Sequence, residues 1–320
     1  MLEKMQKQPK IIICTEKGKL EKYSILLCRS IRKYGGIFSD AEIFSFSPRK
    51  GFEPSEATLK EFKKLNVKYD NTVLNTKYRA YPLANKPIVC AHFEEKYPNN
   101  TVVFIDSDQI VFNEPLQFYL PENTDLLIRP VDRRGVGFSS KQDSEYNYWQ
   151  NISKKIGFDF NLESKVETSI GETIHPYFNS GLIITKTSLG LFKQWKENFE
   201  LIFQSNIRPE NGDFFLEQSV FSATVLQMKL NYSLVDNSYN YPFSIHDEII
   251  KKKQLNSLSD MVTAHYHNML VNKAKPSYLS FFLEDTEKGI WLKKQISELE
   301  IKPDTQFSKL LQKVKRKMLK

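Results

Sequence analysis

Short apolar runs rich in β-branched residues alternate along this chain with segments in which apolar residues recur at helical spacing. This alternation is typical of an α/β fold with a mainly parallel central sheet and flanking helices. The pattern predicts strands over residues 10–14, 41–46, 101–105, 125–131, 178–186 and 261–267. It predicts helices over residues 20–34, 55–65, 83–97, 188–203, 213–228 and 279–299. Thr58 and Glu61 are expected to form a capping box in the second helix.

Residues 132–176 interrupt the alternation, because they are rich in Gly, Ser, Asn and charged residues and show little periodicity. A connection of this length inside a compact fold is usually functional or mobile, so we expect a variable lid region here. No linker separates two hydrophobic cores in the sequence. We therefore expect a single domain over residues 1–300, followed by a helical tail over residues 301–320.

The net charge of +8 is concentrated at one end of the chain. Residues 302–320 contain seven Lys or Arg against one Asp, or +6, which leaves +2 for all other residues. A basic groove that binds nucleic acid is therefore not expected. The apolar residues of this tail share one helical face. Three arrangements stay open: peripheral contact with an anionic membrane, docking on the body, and a solvated terminus.

The sequence also bears on the cellular compartment. The first ten residues lack the apolar segment of a secretory signal, and no apolar run approaches the ~18 residues of a membrane span. Cys14, Cys28 and Cys90 have no metal-binding spacing. We expect free thiols in a reducing, cytoplasmic setting.

The candidate chemistry starts with two carboxylates, Asp106 and Asp108, which directly follow the apolar strand predicted over residues 101–105. Open α/β sheets bind ligands at the carboxyl ends of their strands. Two clustered carboxylates repel each other unless a cation lies between them, and oxygen ligands suit Mn²⁺ or Mg²⁺. Such ions usually also bind substrate phosphates. The alternative is a turn that carries two solvated acids.

Two enzyme classes have a strand that ends in Asp-x-Asp. In haloacid-dehalogenase phosphatases the first Asp is a nucleophile, but their motif normally lies on the first strand, whereas here it follows about the fourth. The segment VVFIDSDQIVFNEPLQFY instead resembles the GT-A glycosyltransferases, and family 8 in particular. PYFNSGLIITK, DFFLEQSVFSATV and AHYHN…AKPSY resemble later segments of that family in the same order.

The resemblance implies a Rossmann-like GT-A fold, a nucleotide-sugar donor (UDP-sugar favoured) and a divalent cation, Mn²⁺ or Mg²⁺. It implies Asp106, Asp108 and His265 as metal ligands, with His267 as an alternative to His265. The residues implied in binding the donor are Thr15, Tyr23, Lys86, Asp106, Ser107 and Lys275. Tyr23 would stack on the base or belong to the core. The family usually has a small residue or Asp at the position of Glu16. This departure leaves the identity of the donor's nucleotide base open.

The resemblance also implies catalytic roles for Gln218, Glu217 and Asn179. Gln218 would lie near the anomeric carbon, and because an amide is not a base we expect transfer with retention. Glu217 as a general base would instead give inversion. Aromatic residues of the 132–176 region would bind the glycan acceptor or pack the region onto the body: Tyr146, Tyr148, Trp149 and Phe158. A phosphatase and a non-catalytic sugar-binding protein of the same fold remain the alternative functions.

Overall fold

The computed structural model describes residues 7–160, 164–210, 212–249, 258–267 and 286–301. Lys275 and the predicted tail therefore lie outside the described residues. The strands are β1 Lys10–Cys14, β2 Ile43–Phe46, β3 Val67–Asp70, β4 Thr101–Ile105, β5 Gln109–Val111, β6 Leu126–Pro130, β7 Val166–Glu167, β8 Thr173–Ile174, β9 Phe178–Lys186, β10 Tyr232–Leu234, β11 Tyr241–Pro242 and β12 Thr263–His265. The α-helices are α1 Lys19–Tyr34, α2 Glu56–Lys64, α3 Asn85–Lys96, α4 Tyr146–Ile156, α5 Leu191–Gln204, α6 Leu216–Gln227, α7 His246–Ile249 and α8 Glu287–Glu298.

The main sheet has seven strands in the order β10-β6-β9-β4-β1-β2-β3. Strand β9 runs antiparallel to β4 and β6, whereas β1 pairs with β4, β2 with β3 and β6 with β10 in parallel. The expected α/β fold with a mainly parallel sheet and flanking helices is confirmed. A separate three-stranded sheet has the order β11-β12-β5.

The chain divides into two compact units. Unit one comprises Met1–Ile12, Leu83–Ile105 and Leu116–Asp236. Its core consists of β4, β6 and β9, whose interior residues are fully or nearly fully buried, with α5 packed against both α3 and α6. Strand β9 extends past β4: the last pair is Ile105↔Leu182, so residues 178–181 have no partner on β4. A register shift between Leu127 and Arg129 on β6 faces this same stretch.

Unit two comprises Ile13–Pro82, Asp106–Pro115 and Asn237–Lys320. Its described part contains α1, α2 and the small sheet, and α8 is tied to α1 through Arg29. The Arg29 guanidinium bonds Glu61 of α2 at 2.9 Å and Glu298 of α8 at 3.0 Å. The expectation of one domain over residues 1–300 stays a prediction.

Two local expectations need correction. The cap of α2 is Ser55, whose hydroxyl accepts the Thr58 N–H at 3.4 Å, so the capping box does not start at Thr58. The 132–176 region is also more ordered than its composition suggests. It contains α4, which buries Trp149 and Ile152, and the short β7–β8 hairpin.

Within the described residues, no helix has both the length and the apolar character needed to cross a bilayer.

A buried histidine of unit two makes stability depend on pH. Burial lowers the pKa of His246 below its ordinary 6.5, against an opposing effect of Asp247, and His246 Nδ1 lies 2.7 Å from the Tyr241 hydroxyl. The unfolded chain therefore takes up the proton first, and stability falls as pH drops below about 6.5. One such group contributes at most about 1.4 kcal/mol per pH unit. We expect His246→Gln to flatten the unfolding free energy measured between pH 7 and 5; an unchanged slope would contradict this.

Candidate functional site

Three side chains of unit two form a cluster that could hold a metal ion, here called the metal cluster. One ligand atom from each of Asp106, Asp108 and His265 lies within 4.8 Å of the other two. The Nε2 atom of His265 is 3.0 Å from Oδ1 of Asp108. Both aspartates are half-buried and the histidine is buried. Two carboxylates and one imidazole are a ligand set that fits Mn²⁺ or another divalent first-row ion.

Strand pairing brings these residues together across the chain. Asp106 follows the last residue of β4, and the small sheet begins at Gln109 directly after Asp108. Strand β12 pairs antiparallel with β5 and places His265 opposite Gln109. The Tyr266 N–H donates to the Asp108 carbonyl at 3.1 Å, which extends this ladder to the acidic turn. The histidine is therefore placed beside Asp108 by register.

The middle residue of the acidic turn has a structural contact. Ser107 is 6% exposed, and its hydroxyl donates to the carbonyl of Cys14. The Gln109 N–H donates to the Asp106 carbonyl at 3.1 Å and closes the turn. The Ser107 hydroxyl therefore anchors the turn to the end of β1, and donor binding by Ser107 stays a prediction.

The two late histidines lie against each other. The ring of His267 stacks on the ring of His265 at 3.9 Å with an interplanar angle of 9°. His267 has a positive φ of 50°, so the backbone turns directly after β12. His265 supplies the imidazole of the metal cluster, and His267 packs against it.

Two side chains expected to border the donor, Thr15 after β1 and Tyr23 on α1, are buried. Thr15 is fully buried, and its hydroxyl bonds the Ser24 and Ser45 hydroxyls at 2.7 and 2.8 Å. Tyr23 is 2% exposed and meets Tyr266 edge-to-face at 5.3 Å. Both side chains occupy core positions, which is the second of the two roles expected for Tyr23, and donor contact by Thr15 stays a prediction.

Glu16, in the same loop, forms a buried ion pair that the sequence does not suggest. Both of its carboxylate oxygens accept from the Arg49 guanidinium, from Nε at 2.8 Å and also from Nη2. Arg49 also donates to the Arg79 carbonyl at 2.7 Å and lies over the Phe52 ring at 4.0 Å. The carboxylate of Glu16 is thus occupied by Arg49.

Unit one contains a second group of polar side chains, here called the Gln218 cluster: Lys86, Tyr177, Ser180, Glu217 and Gln218. Lys86 on α3 donates to the Ser180 hydroxyl at 3.3 Å, and its Nζ lies 3.9 Å from Oε1 of Glu217. Glu217 is 2% exposed. Lys86 and Glu217 therefore lie close enough to attract each other.

Both ends of the Gln218 side chain are hydrogen-bonded. Its Oε1 accepts the Ser180 N–H at 3.3 Å, and its Nε2 donates to the Tyr177 hydroxyl at 2.7 Å. Asn179, 8% exposed, accepts the Gly181 N–H at 2.7 Å through Oδ1. Asn179, Ser180 and Gly181 lie on the part of β9 that extends beyond β4, so their backbone groups do not pair with that neighbouring strand.

Sequence reasoning missed Arg49, Tyr177 and Ser180. Tyr177 and Ser180 stand in the PYFNSGLIITK segment that carried the resemblance, so attention to all its polar residues would have found them. No local pattern pairs Arg49 with Glu16. Of the aromatic residues proposed for the acceptor, Tyr148, Trp149 and Phe158 are buried, and the Trp149 ring packs against Tyr177, outside the region, at 5.4 Å.

Comparison with solved structures supports the fold. The chain aligns with the apo form of the glycosyltransferase GlyE of Streptococcus pneumoniae TIGR4 at a TM-score of 0.50 and 11% identity, covering 94% of this chain and 66% of that one. It aligns with the apo structure of the bifunctional glycosyltransferase WbbM at a TM-score of 0.50 and 12% identity, covering 92% and 53%. The chain thus spans about two thirds and about half of these proteins. A comparison with curated protein sequences gave no significant match.

A protein-family model identifies the family more directly than these structural similarities do. The model described as the Rhodobacterales glycosyltransferase domain matches residues 11–229, well over half of the chain. The matched range includes Asp106, Asp108 and Gln218 but ends before His265. The expectation of a glycosyltransferase with a GT-A fold is confirmed at the level of fold and enzyme class. The chain belongs to the Rhodobacterales glycosyltransferase domain family and is a glycosyltransferase with the GT-A fold.

Proposed function

We propose that this glycosyltransferase moves a sugar from a nucleotide-diphosphate donor, with UDP-sugar favoured, to a hydroxyl of a glycan or similar acceptor, and that the reaction requires Mn²⁺ or Mg²⁺. The metal cluster carries this proposal, because a glycosyltransferase with two carboxylates and an imidazole within 4.8 Å has a ligand set for such an ion. When bound, the cation would supply positive charge that stabilises the leaving diphosphate.

Different residues are proposed to hold the cation, to bind the donor and to neutralise the leaving diphosphate. Asp106, Asp108 and His265 hold the cation, and the bond from Ser107 to Cys14 keeps the acidic turn in place. Lys86 provides a cation for the donor and is oriented by Ser180 and Glu217. Lys275 is proposed to neutralise the leaving diphosphate, and Asn179 to bond a sugar hydroxyl.

We propose transfer with retention of configuration. The amide of Gln218 is not a base and cannot deprotonate the acceptor. Its oxygen carries a partial negative charge, which stabilises the positive charge that develops on the sugar during transfer. Glu217 is almost fully buried and close to Lys86, which supports a role in orienting that lysine over a role as general base. Peripheral membrane contact through residues 302–320 and a cytoplasmic location stay predictions.

The test measures the products directly. The full chain is incubated with Mn²⁺ and a panel of UDP-sugars and simple sugar acceptors, and NMR follows nucleotide release and the anomeric configuration of the product. We expect UDP release that requires the metal and a product that retains the donor configuration. An inverted product would make Glu217 the base. Release of inorganic phosphate would favour the phosphatase, and metal-independent binding without turnover would favour the sugar-binding protein.

A further inference from the structure

The Gln218 side chain is held from two sides, and the two bonds differ in kind. The Ser180 N–H is a donor only, so the atom that faces it at 3.3 Å must be the amide oxygen. The Tyr177 hydroxyl can both donate and accept, and it receives the amide N–H at 2.7 Å. A flipped amide would place two donors against each other at Ser180. The hydrogen-bond network therefore assigns the amide orientation.

Burial and packing hold the Tyr177 side chain in place beside this amide. It is 1% exposed, and its ring meets Trp149 edge-on at 5.4 Å. Burial raises the pKa of its phenol well above the ordinary value, although the bond from Gln218 opposes this, so the hydroxyl stays neutral. Tyr177 directly precedes β9, whose Phe178 N–H is bonded to Ser222 of α6 at 2.9 Å. The helix that carries Gln218 and the chain that carries Tyr177 are thus fixed to each other.

We propose that Tyr177 is a positioning residue for transfer: its buried hydroxyl anchors the amide nitrogen of Gln218 and so keeps the amide oxygen on the side of Ser180 and Lys86. This inference rests on the role proposed above for Gln218. An amide oxygen opposes positive charge that develops at the anomeric carbon, whereas an amide N–H at the same place would add to it. Without the anchor the amide rotates, and the fraction of molecules with the oxygen in place falls.

The experiment replaces only the hydroxyl. Tyr177→Phe keeps the ring against Trp149, and we expect kcat for hydrolysis of the UDP-sugar that the wild type turns over fastest to fall about 10-fold, with KM within about twofold. Tyr232→Phe is the matched control, because the half-buried Tyr232 ring also packs against β9, edge-on to Phe178 at 4.8 Å, and Tyr232 lies outside the Gln218 cluster and the proposed acceptor region. Its kcat should stay within twofold of the wild type. Equal losses in both variants would overturn the proposal.

A double-mutant cycle separates this inference from the proposed role of Gln218. If Tyr177 acts through Gln218, adding Tyr177→Phe to Gln218→Ala lowers kcat no further. If the two losses multiply, Tyr177 acts independently and the inference is wrong. Full activity of Gln218→Ala alone would instead contradict the catalytic role of Gln218.

A crystal structure of Tyr177→Phe tests the positioning role of Tyr177 without an activity assay. We expect the Gln218 side chain to leave its place beside Ser180. An unchanged amide would overturn the inference.

Discussion

Asp108→Asn is expected to reduce metal-dependent sugar transfer by about 1000-fold. The substitution keeps the size of the side chain and removes one negative charge from the metal cluster, in which Asp108 lies 3.0 Å from His265 Nε2. Loss of a bound cation removes several kcal/mol of charge stabilisation, and about 4 kcal/mol corresponds to this factor. The measurement is UDP release from the preferred UDP-sugar at saturating Mn²⁺, together with Mn²⁺ affinity by isothermal titration calorimetry.

The control for this variant is Asp40→Asn. Asp40 is an exposed aspartate of the same unit, outside the metal cluster, so the same chemical change should leave activity and Mn²⁺ affinity within twofold. His265→Ala should weaken Mn²⁺ binding in the same direction as Asp108→Asn. If Asp108→Asn kept both its turnover and its Mn²⁺ affinity, the metal cluster would be wrongly assigned.

Arg49→Met is expected to lower the free energy of unfolding by about 3–5 kcal/mol. Both oxygens of Glu16 accept from Arg49, and the two residues are 3% and 7% exposed. Removing the arginine leaves a carboxylate inside the protein with its strongest partner gone. The pair also ties the loop after β1 to the segment at residues 49–52, where the Lys17 N–H donates to the Phe52 carbonyl at 2.8 Å. Urea denaturation of the full chain gives the free energy.

Two controls identify the cause of that loss. The double variant Glu16→Leu with Arg49→Met removes both charges, and we expect it to recover most of the stability, because the main penalty is the unpaired buried charge. Lys64→Met breaks an ion pair with Glu61 whose lysine is 72% exposed, and should cost less than about 1 kcal/mol. An Arg49→Met loss no larger than that of Lys64→Met would show that burial does not strengthen this pair.

The parts of the fold that were predicted well are those with strong local signals. Strands β4 and β9 were predicted with the observed bounds, since β4 is a nearly continuous apolar run and β9 contains the apolar run Leu182–Ile184, and both strands are buried on both faces. Helix α4 was missed, because its apolar residues occupy only part of an 11-residue helix in a polar region. Helix α6 was predicted to begin at residue 213, where the structure has a 3₁₀ turn over Asp213–Phe215. Turn geometry of this kind leaves no clear periodicity in the sequence.

The sequence by itself determined which elements carry the candidate residues and their order along the chain. An apolar strand ends in two carboxylates, and a later strand is followed by a helix that carries a glutamine. These features depend on residues close together in the chain. Only the tertiary structure decided which distant side chains meet them. Asp108 meets His265 across 157 residues because β5 and β12 pair in one register, and Glu16 meets Arg49 across 33. Strand register and side-chain packing depend on the whole fold, so no local pattern reports them.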